Sequence, residues 1–242
     1  MRSKLAAILL ALAPILACED DPARPDGKDG VFEFEFNSGT HGWTPGFADD
    51  PAGEEQAYEL VARHETLPEP LDQDRRGILL SGFNRSDDLF MFLKRQLTGL
   101  APETEYAIAV RVEFATDAPQ GCFGVGGAPG ESVVIKAGAS AVEPDTVIDS
   151  EGMVRLDLDK GNQLDPGEDA IVLGNIANSN TDCLDPRYEL KTLDSADQEL
   201  TATTDADGRL WVFIGSESGF EAKTALYYTS IRLELTPREA ED

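Results

Sequence analysis

Short runs in which apolar and polar residues strictly alternate constrain the fold of this chain more than any other feature. Phe32, Phe34 and Phe36 alternate with Glu33 and Glu35, and Tyr106, Ile108, Val110, Val112 and Phe114 alternate with Ala107, Ala109, Arg111 and Glu113. Val154, Leu156 and Leu158 alternate with Arg155, Asp157 and Asp159, and Tyr227, Thr229, Ile231, Leu233 and Leu235 repeat the pattern near the end. A period of two puts one face of a strand in a core and the other in water. Further strand-like runs are Gly77 to Ser81, Leu89 to Leu97, Ser132 to Ala137, Ala170 to Leu173, Tyr188 to Leu193, Glu199 to Thr203 and Leu210 to Gly215. Turn signals such as Gly99, Pro129-Gly130 and Asp205-Ala206-Asp207-Gly208 separate them. The expected fold is all-β, a single sandwich. The one helical candidate is Glu54 to His64.

The first residues are of another kind. Arg2 and Lys4 precede an apolar run from Leu5 to Ala17, too short to span a bilayer, which needs about 20 residues. Ile15-Leu16-Ala17-Cys18 resembles the bacterial lipobox, and the resemblance implies cleavage before Cys18 and fatty acyl chains such as palmitate on it. A single acyl chain anchors only marginally at about 0.8 kcal/mol per methylene, whereas two or three hold firmly. The alternative is an ordinary secretory signal that happens to contain a Cys. Glu19 to Gly30 is polar and rich in Pro and Gly, with nothing to bury, and reads as a tether reaching on the order of 20 Å. The expected organisation is a signal peptide over 1–17, an anchored linker over 18–30, one domain over 31–237 and an acidic tail over 238–242. That places the domain in the bacterial cell envelope, outside the cytoplasm, with a membrane as partner through lipid alone.

The formal charge of the chain is −26, and loss of the signal removes two cations and no acid. Such a surface repels nucleic acid and anionic membranes. It suits solubility, or capture of divalent cations. Beyond Cys18 only Cys122 and Cys183 remain, and an even pair in an exported domain is expected to be oxidised. A metal site built on two Cys would want a neighbouring His, and His41 and His64 are both isolated in sequence.

Two stretches carry a family resemblance. Phe34-Glu35-Phe36-Asn37-Ser38-Gly39-Thr40-His41-Gly42-Trp43 resembles the opening of jelly-roll carbohydrate-binding modules. Leu97-Thr98-Gly99-Leu100-Ala101-Pro102-Glu103-Thr104-Glu105-Tyr106 is similar to their entry into a central strand. The resemblance implies a jelly-roll sandwich and a carbohydrate partner held by exposed aromatic side chains. Trp43, with Phe47 and Tyr58, is the set expected at the ligand. An indole stacks well on a pyranose face, although a Trp in this motif can equally close the end of the core. Trp211, in an apolar run, is expected in the core. The stretch from Gly121 to Ser195 departs from the family, being longer and carrying the Cys pair. The acidic pair that helps hold structural Ca²⁺ in those modules is replaced by Thr229-Ser230.

Asp157 to Asp169 is the densest candidate for metal chemistry. Counting Asp157 as the first position, Asp157, Asp159, Asp165 and Glu168 stand where a Ca²⁺ loop of the EF-hand type puts carboxylates. Gly161 offers no side-chain oxygen, Asn162 stands at the turn position, and no helix flanks the loop. Ca²⁺ held by these four acids is one expectation and a solvated hairpin loop the other. The glycine-rich Gly121 to Gly130 lacks the Gly-Lys-Ser/Thr of a phosphate loop and reads as backbone passing close to other backbone. No Ser-His-Asp or Cys-His pattern is recognisable around His41 or His64. Together these features favour a lipid-anchored extracytoplasmic binding module of carbohydrate-binding type and not an enzyme. Two alternatives remain: a structural or protein-interaction lipoprotein without a small ligand, and a glycoside-active enzyme with paired carboxylates.

Overall fold

The structure is a computed structural model describing residues 30–195 and 198–239. Cys18, the signal and nearly all of the linker lie outside the described residues. Among those described there are strands and turns but no helix. In chain order the strands are β1 (Gly30–Glu35), β2 (Thr44–Ala48), β3 (Val61–Thr66), β4 (Arg76–Phe83), β5 (Leu89–Leu97), β6 (Glu105–Thr116) and β7 (Val133–Ser140). There follow β8 (Thr146–Ile148), β9 (Val154–Leu156), β10 (Ala170–Asn175), β11 (Glu189–Asp194), β12 (Leu200–Thr203), β13 (Leu210–Ser218) and β14 (Lys223–Pro237). The expected helix at Glu54 to His64 is replaced by turns up to Glu59 and then by β3. Tyr58 reaches the core from a turn, and Leu60 and Ala62 pack against it.

Two antiparallel sheets face each other as a jelly-roll-like sandwich. The first runs β11-β6-β14-β4-β3, with β1 extending the β4 position along β14 and β12 extending the β11 position along β6. The second runs β10-β7-β13-β5-β2. Strand register turns the alternation into packing. Phe32 pairs with Leu233, which pairs with Val110, and one step on Phe34, Ile231 and Val112 line up. Across the sandwich, Leu93, Ile214 and Ala137 form the matching row. All of these are buried in one core, each large side chain contributing roughly 1.5–3 kcal/mol.

The outer face of the second sheet is also apolar, and a third layer covers it. Phe90 and Phe92 on β5 and Phe213 on β13 point outward, yet they are buried beneath a strap, residues 141–169, that contains the β8–β9 hairpin. The inward residues of that strap are Val154, Leu156 and Leu158, the alternating run seen in the sequence. Gly46 and Gly138 make room for the rings: a Cβ at either would lie 2.2 Å from Phe92 or Phe213. Trp211 points to this same outer face but lies past the edge of the strap. It is half-buried with the Lys94 ammonium 5.8 Å from its ring, and it is not in the core as expected.

Candidate functional site

The aromatic residues expected at a ligand are packed inside. Trp43 is 2% exposed, edge-to-face with Phe34 and Phe36 at centroid distances of 5.5 and 6.4 Å, and it closes one end of the core. Tyr58 is 4% exposed in the same core, and Phe47, half-buried on β2, packs against it. The register pairs Phe47 with Met91, an inward residue. Neither Trp43 nor Tyr58 can present a ring face to a sugar from these positions, which corrects the expectation for them. The histidines are engaged as well: Nε2 of His41 donates to the Glu35 carbonyl at 2.8 Å, and Nε2 of His64 to the Phe36 carbonyl at 2.6 Å.

The acidic loop of the strap does not gather its carboxylates round one point. Asp157 Oδ1 accepts the Asp145 N–H at 2.8 Å, and Asp159 accepts those of Gly161 and Glu168 at 2.9 and 3.1 Å. These amide bonds hold the carboxyl of Asp159 below the usual range. Asp165 and Glu168 are exposed. Gly161 (φ +74°) and Gln163 (φ +47°) take the left-handed turn, not Asn162. What the loop encloses is an ammonium group: Lys136 Nζ donates to the carbonyls of Lys160 and Asp165 at 2.8 and 2.9 Å. Asp157 and Asp159 therefore act as acceptors for loop amides, and a lysine supplies the positive charge the loop encloses.

A carboxylate group does converge deeper down. Oxygens of Asp49, Asp88 and Glu217 lie within 4.8 Å of one another, beside a small cavity of about 210 Å³. Cations occupy the space between them. Lys160 Nζ is 2.6 Å from Glu217 and 3.0 Å from Asp49, Lys136 is 2.5 Å from Glu217, and Arg155 is 2.6 Å from Asp49. Burial works against the Lys160 charge, but Glu217 and Asp49 outweigh it and its pKa is raised. Asp88 is pushed up to about 7, first by burial and then by its hydrogen bond to Glu217 and the charges of Asp49 and Glu217. A glycosidase needs two carboxyls facing a shared ligand. Here Glu217 is fully buried and Asp49 is held by two cations, so the arrangement is an ionic lock under the strap.

A second cavity lies at the disulfide. Cys122 and Cys183 are bonded, with Cα atoms 5.8 Å apart, joining the loop after β6 to the loop before β11. They wall a cavity of about 300 Å³ with Ile176 and Ala118 at its base and Phe123, Phe220, Asp117 and Lys223 around it. That volume is at the small end of ligand sites, and its mix of apolar walls and few polar groups is typical of them. Phe123 is 101% exposed and Leu184 96%, each directly following its cysteine. The glycine-rich loop supports this end, passing so close that a Cβ on Gly126 would lie 2.6 Å from the Gly219 carbonyl.

Beside the cavity the outer face of the first sheet carries two more aromatic residues. Tyr188 and Tyr227 meet edge-to-face, centroids 5.6 Å apart at 90°. Burial pushes the hydroxyl pKa of both upward; the charge of Asp117 adds to it at Tyr188, and the charge and hydrogen bond of Glu65 at Tyr227. A larger depression of about 650 Å³ opens between β11 and β12, over Ala107 and Ala109. It has no aromatic wall, and its charges are matched in Arg111–Asp194 and Arg232–Glu234 pairs. Thr229, where the carbohydrate-binding family has an acid, is buried and donates to Glu113 at 2.8 Å. Sequence reasoning saw the cysteines but not Asp117, Phe123, Tyr188 or Tyr227 as a group.

No protein-family model and no curated protein sequence matches the chain. Among solved structures it is similar to a putative sugar binding protein from Bacteroides thetaiotaomicron, with 9% identity over 84% of this chain and 92% of that one, TM-score 0.40. It is also similar to the adhesin domain of Lys-gingipain from Porphyromonas gingivalis, with 11% identity over 86% and 99%, TM-score 0.38. A carbohydrate-binding module of the β-sandwich superfamily aligns with 12% identity over 89% and 63%, TM-score 0.37. The active domain of a bacteriophage CBA120 tailspike matches 79% of this chain, which spans only 19% of that protein.

Proposed function

We propose that this chain is a lipid-anchored extracytoplasmic binding module whose ligand, a carbohydrate, enters the disulfide-walled cavity. The observation that carries the reading is the company of residues there: phenylalanine rings for the apolar face of a sugar and Asp117 for its hydroxyls, in one cavity. Its position also supports the reading. Gly30 aligns with Leu235, and Leu235 with Ile108; from Ile108 to Asp117 the chain runs about 30 Å at roughly 3.3 Å per residue. A lipid on Cys18 would thus tether the pole opposite the cavity and leave the cavity facing outward.

One observation favours a second reading, a protein-interaction lipoprotein: Phe123 and Leu184 stand fully exposed beside each other's cysteines, as an interaction patch would. A glycan array separates the two. Carbohydrate binding that Phe123→Ala and Phe220→Ala both weaken is the expected result. Failure to bind any glycan would overturn the first reading in favour of the second. Labelling with radioactive palmitate, lost in Cys18→Ser, tests the anchor.

A further inference from the structure

Asp117 lines the cavity without a cation. Its carboxyl is raised in pKa by burial, opposed only by its own backbone N–H. The cation on the cavity wall already has a partner: Lys223 is 3.2 Å from Glu59. A half-buried carboxylate left unpaired in this way is costly unless something neutralises it.

We propose that the cavity takes a ligand bearing a positively charged nitrogen, an organic ammonium, which pairs with the Asp117 carboxylate against the neighbouring aromatic rings. The inference rests on the reading of this cavity as the binding site and adds the charge of what binds there. Alternation along the strands brings the parts together. Asp117 continues the outward row of β6 after Glu113 and Ala115, and Tyr188 continues that of β11 before Leu190. Tyr227 sits outward on β14, paired with Ala115. Phe123 and Phe220 line the cavity with Asp117, and Tyr188 and Tyr227 pack edge-to-face on the sheet beside it. Ring faces attract cations, and a carboxylate beside them adds a charge-assisted hydrogen bond. The chain's charge of −26 also draws cations in and keeps acidic sugars away.

The ammonium could belong to an amino sugar within a glycan or to a free alkylamine, and calorimetric titration distinguishes them. The protein is the full chain carrying Cys18→Ser, and the probes are a β-1,4-glucosamine tetramer, its N-acetylated form, cellotetraose and ethanolamine. The glucosamine tetramer should bind about tenfold more tightly than either neutral tetramer. Asp117→Asn should erase that difference, the charged tetramer losing about tenfold relative to the neutral ones. Equal affinity for charged and neutral tetramers would overturn the ammonium inference and leave the carbohydrate reading standing. Asp117-dependent binding of both amines with no neutral-sugar binding would uphold the ammonium and sink the carbohydrate reading. If neither amine binds in an Asp117-dependent way, the inference fails.

Discussion

Lys136 on β7 and Glu217 on β13 place an ammonium nitrogen 2.5 Å from a carboxylate oxygen with neither side chain exposed. Both point to the outer face of the second sheet, where a sandwich ordinarily meets water. The strap seals them in, and its own Lys160 adds a bond to the free side of Glu217 at 2.6 Å. The pair therefore couples strap to sheet, and removing one partner leaves a charge buried alone.

Glu217→Gln or Lys136→Met should each lower stability by about 3–5 kcal/mol in urea unfolding, as broken buried pairs do. The double variant Lys136→Met with Glu217→Leu should lose much less than the two single losses together, because no orphan charge remains. Additive losses would show that the two residues do not act as a pair.

Calcium should leave the thermal midpoint unchanged. A ligand that binds only the native state must raise it, and in this fold the carboxylates of Asp157 and Asp159 already accept backbone amides. A midpoint that climbs with millimolar CaCl₂, and falls back in Asp165→Asn or Glu168→Gln, would restore the metal loop.

Stability should decline as pH rises from about 4 to about 7. Asp88 is raised to about 7 and Asp50 to about 6, both chiefly by burial. A carboxyl whose folded pKa lies above its unfolded value binds its proton more tightly when folded. Its contribution is full below the unfolded value of 3.8 and is lost as pH rises through the folded values of about 6 and about 7. Asp159 and Glu113 are lowered, so their contributions vanish in acid. A midpoint higher at pH 5.5 than at pH 8, with the difference reduced in Asp88→Asn, is the expected result. A flat profile between those values would contradict the burial of Asp88.

The limits of what the sequence reveals follow from the same features. Where one face is buried and the other wet, as in Phe32 to Phe36 or Tyr106 to Phe114, alternation is visible and the strand appears where expected. β2 was hidden because Thr44-Pro45-Gly46-Phe47-Ala48 reads as a turn; Pro and Gly are tolerated there because the strand is an edge. β3, another edge, alternates weakly between Arg63, His64 and Glu65. The strap left a signal that was legible only in part. β5 and β13 are apolar on both faces, which implies cover on both sides, but nothing local says that Val154, Leu156 and Leu158 supply it. Trp211 was misjudged for that reason. The cavity and its surroundings were least legible: Asp117 follows β6, Tyr188 precedes β11 and Tyr227 lies on β14, and only the pairing of β6 with β11 and β14 makes them neighbours. The acidic loop misled because carboxylate spacing records which acids are available, not whether amides and lysines have already engaged them.

The Cys122–Cys183 bond closes 61 residues of chain. On chain-entropy grounds that contributes roughly 4 kcal/mol. Paired Cys→Ser substitution should lower the urea midpoint accordingly and weaken ligand binding further than the stability loss alone explains, because both cysteines wall the cavity. Unchanged affinity at a temperature where the variant is fully folded would separate the cavity from the function.

Trp43 and Phe123 make opposite predictions, and comparing them tests the revised site directly. Trp43 is packed against Phe34 and Phe36, so Trp43→Ala should cost about 3–5 kcal/mol of stability. Its effect on ligand affinity, measured well below the unfolding transition, should be small. Phe123 is wholly exposed, so Phe123→Ala should change stability by no more than about 0.5 kcal/mol while weakening binding. Loss of affinity in the Trp43 variant with none in the Phe123 variant would return the site to the aromatic set that the sequence first suggested.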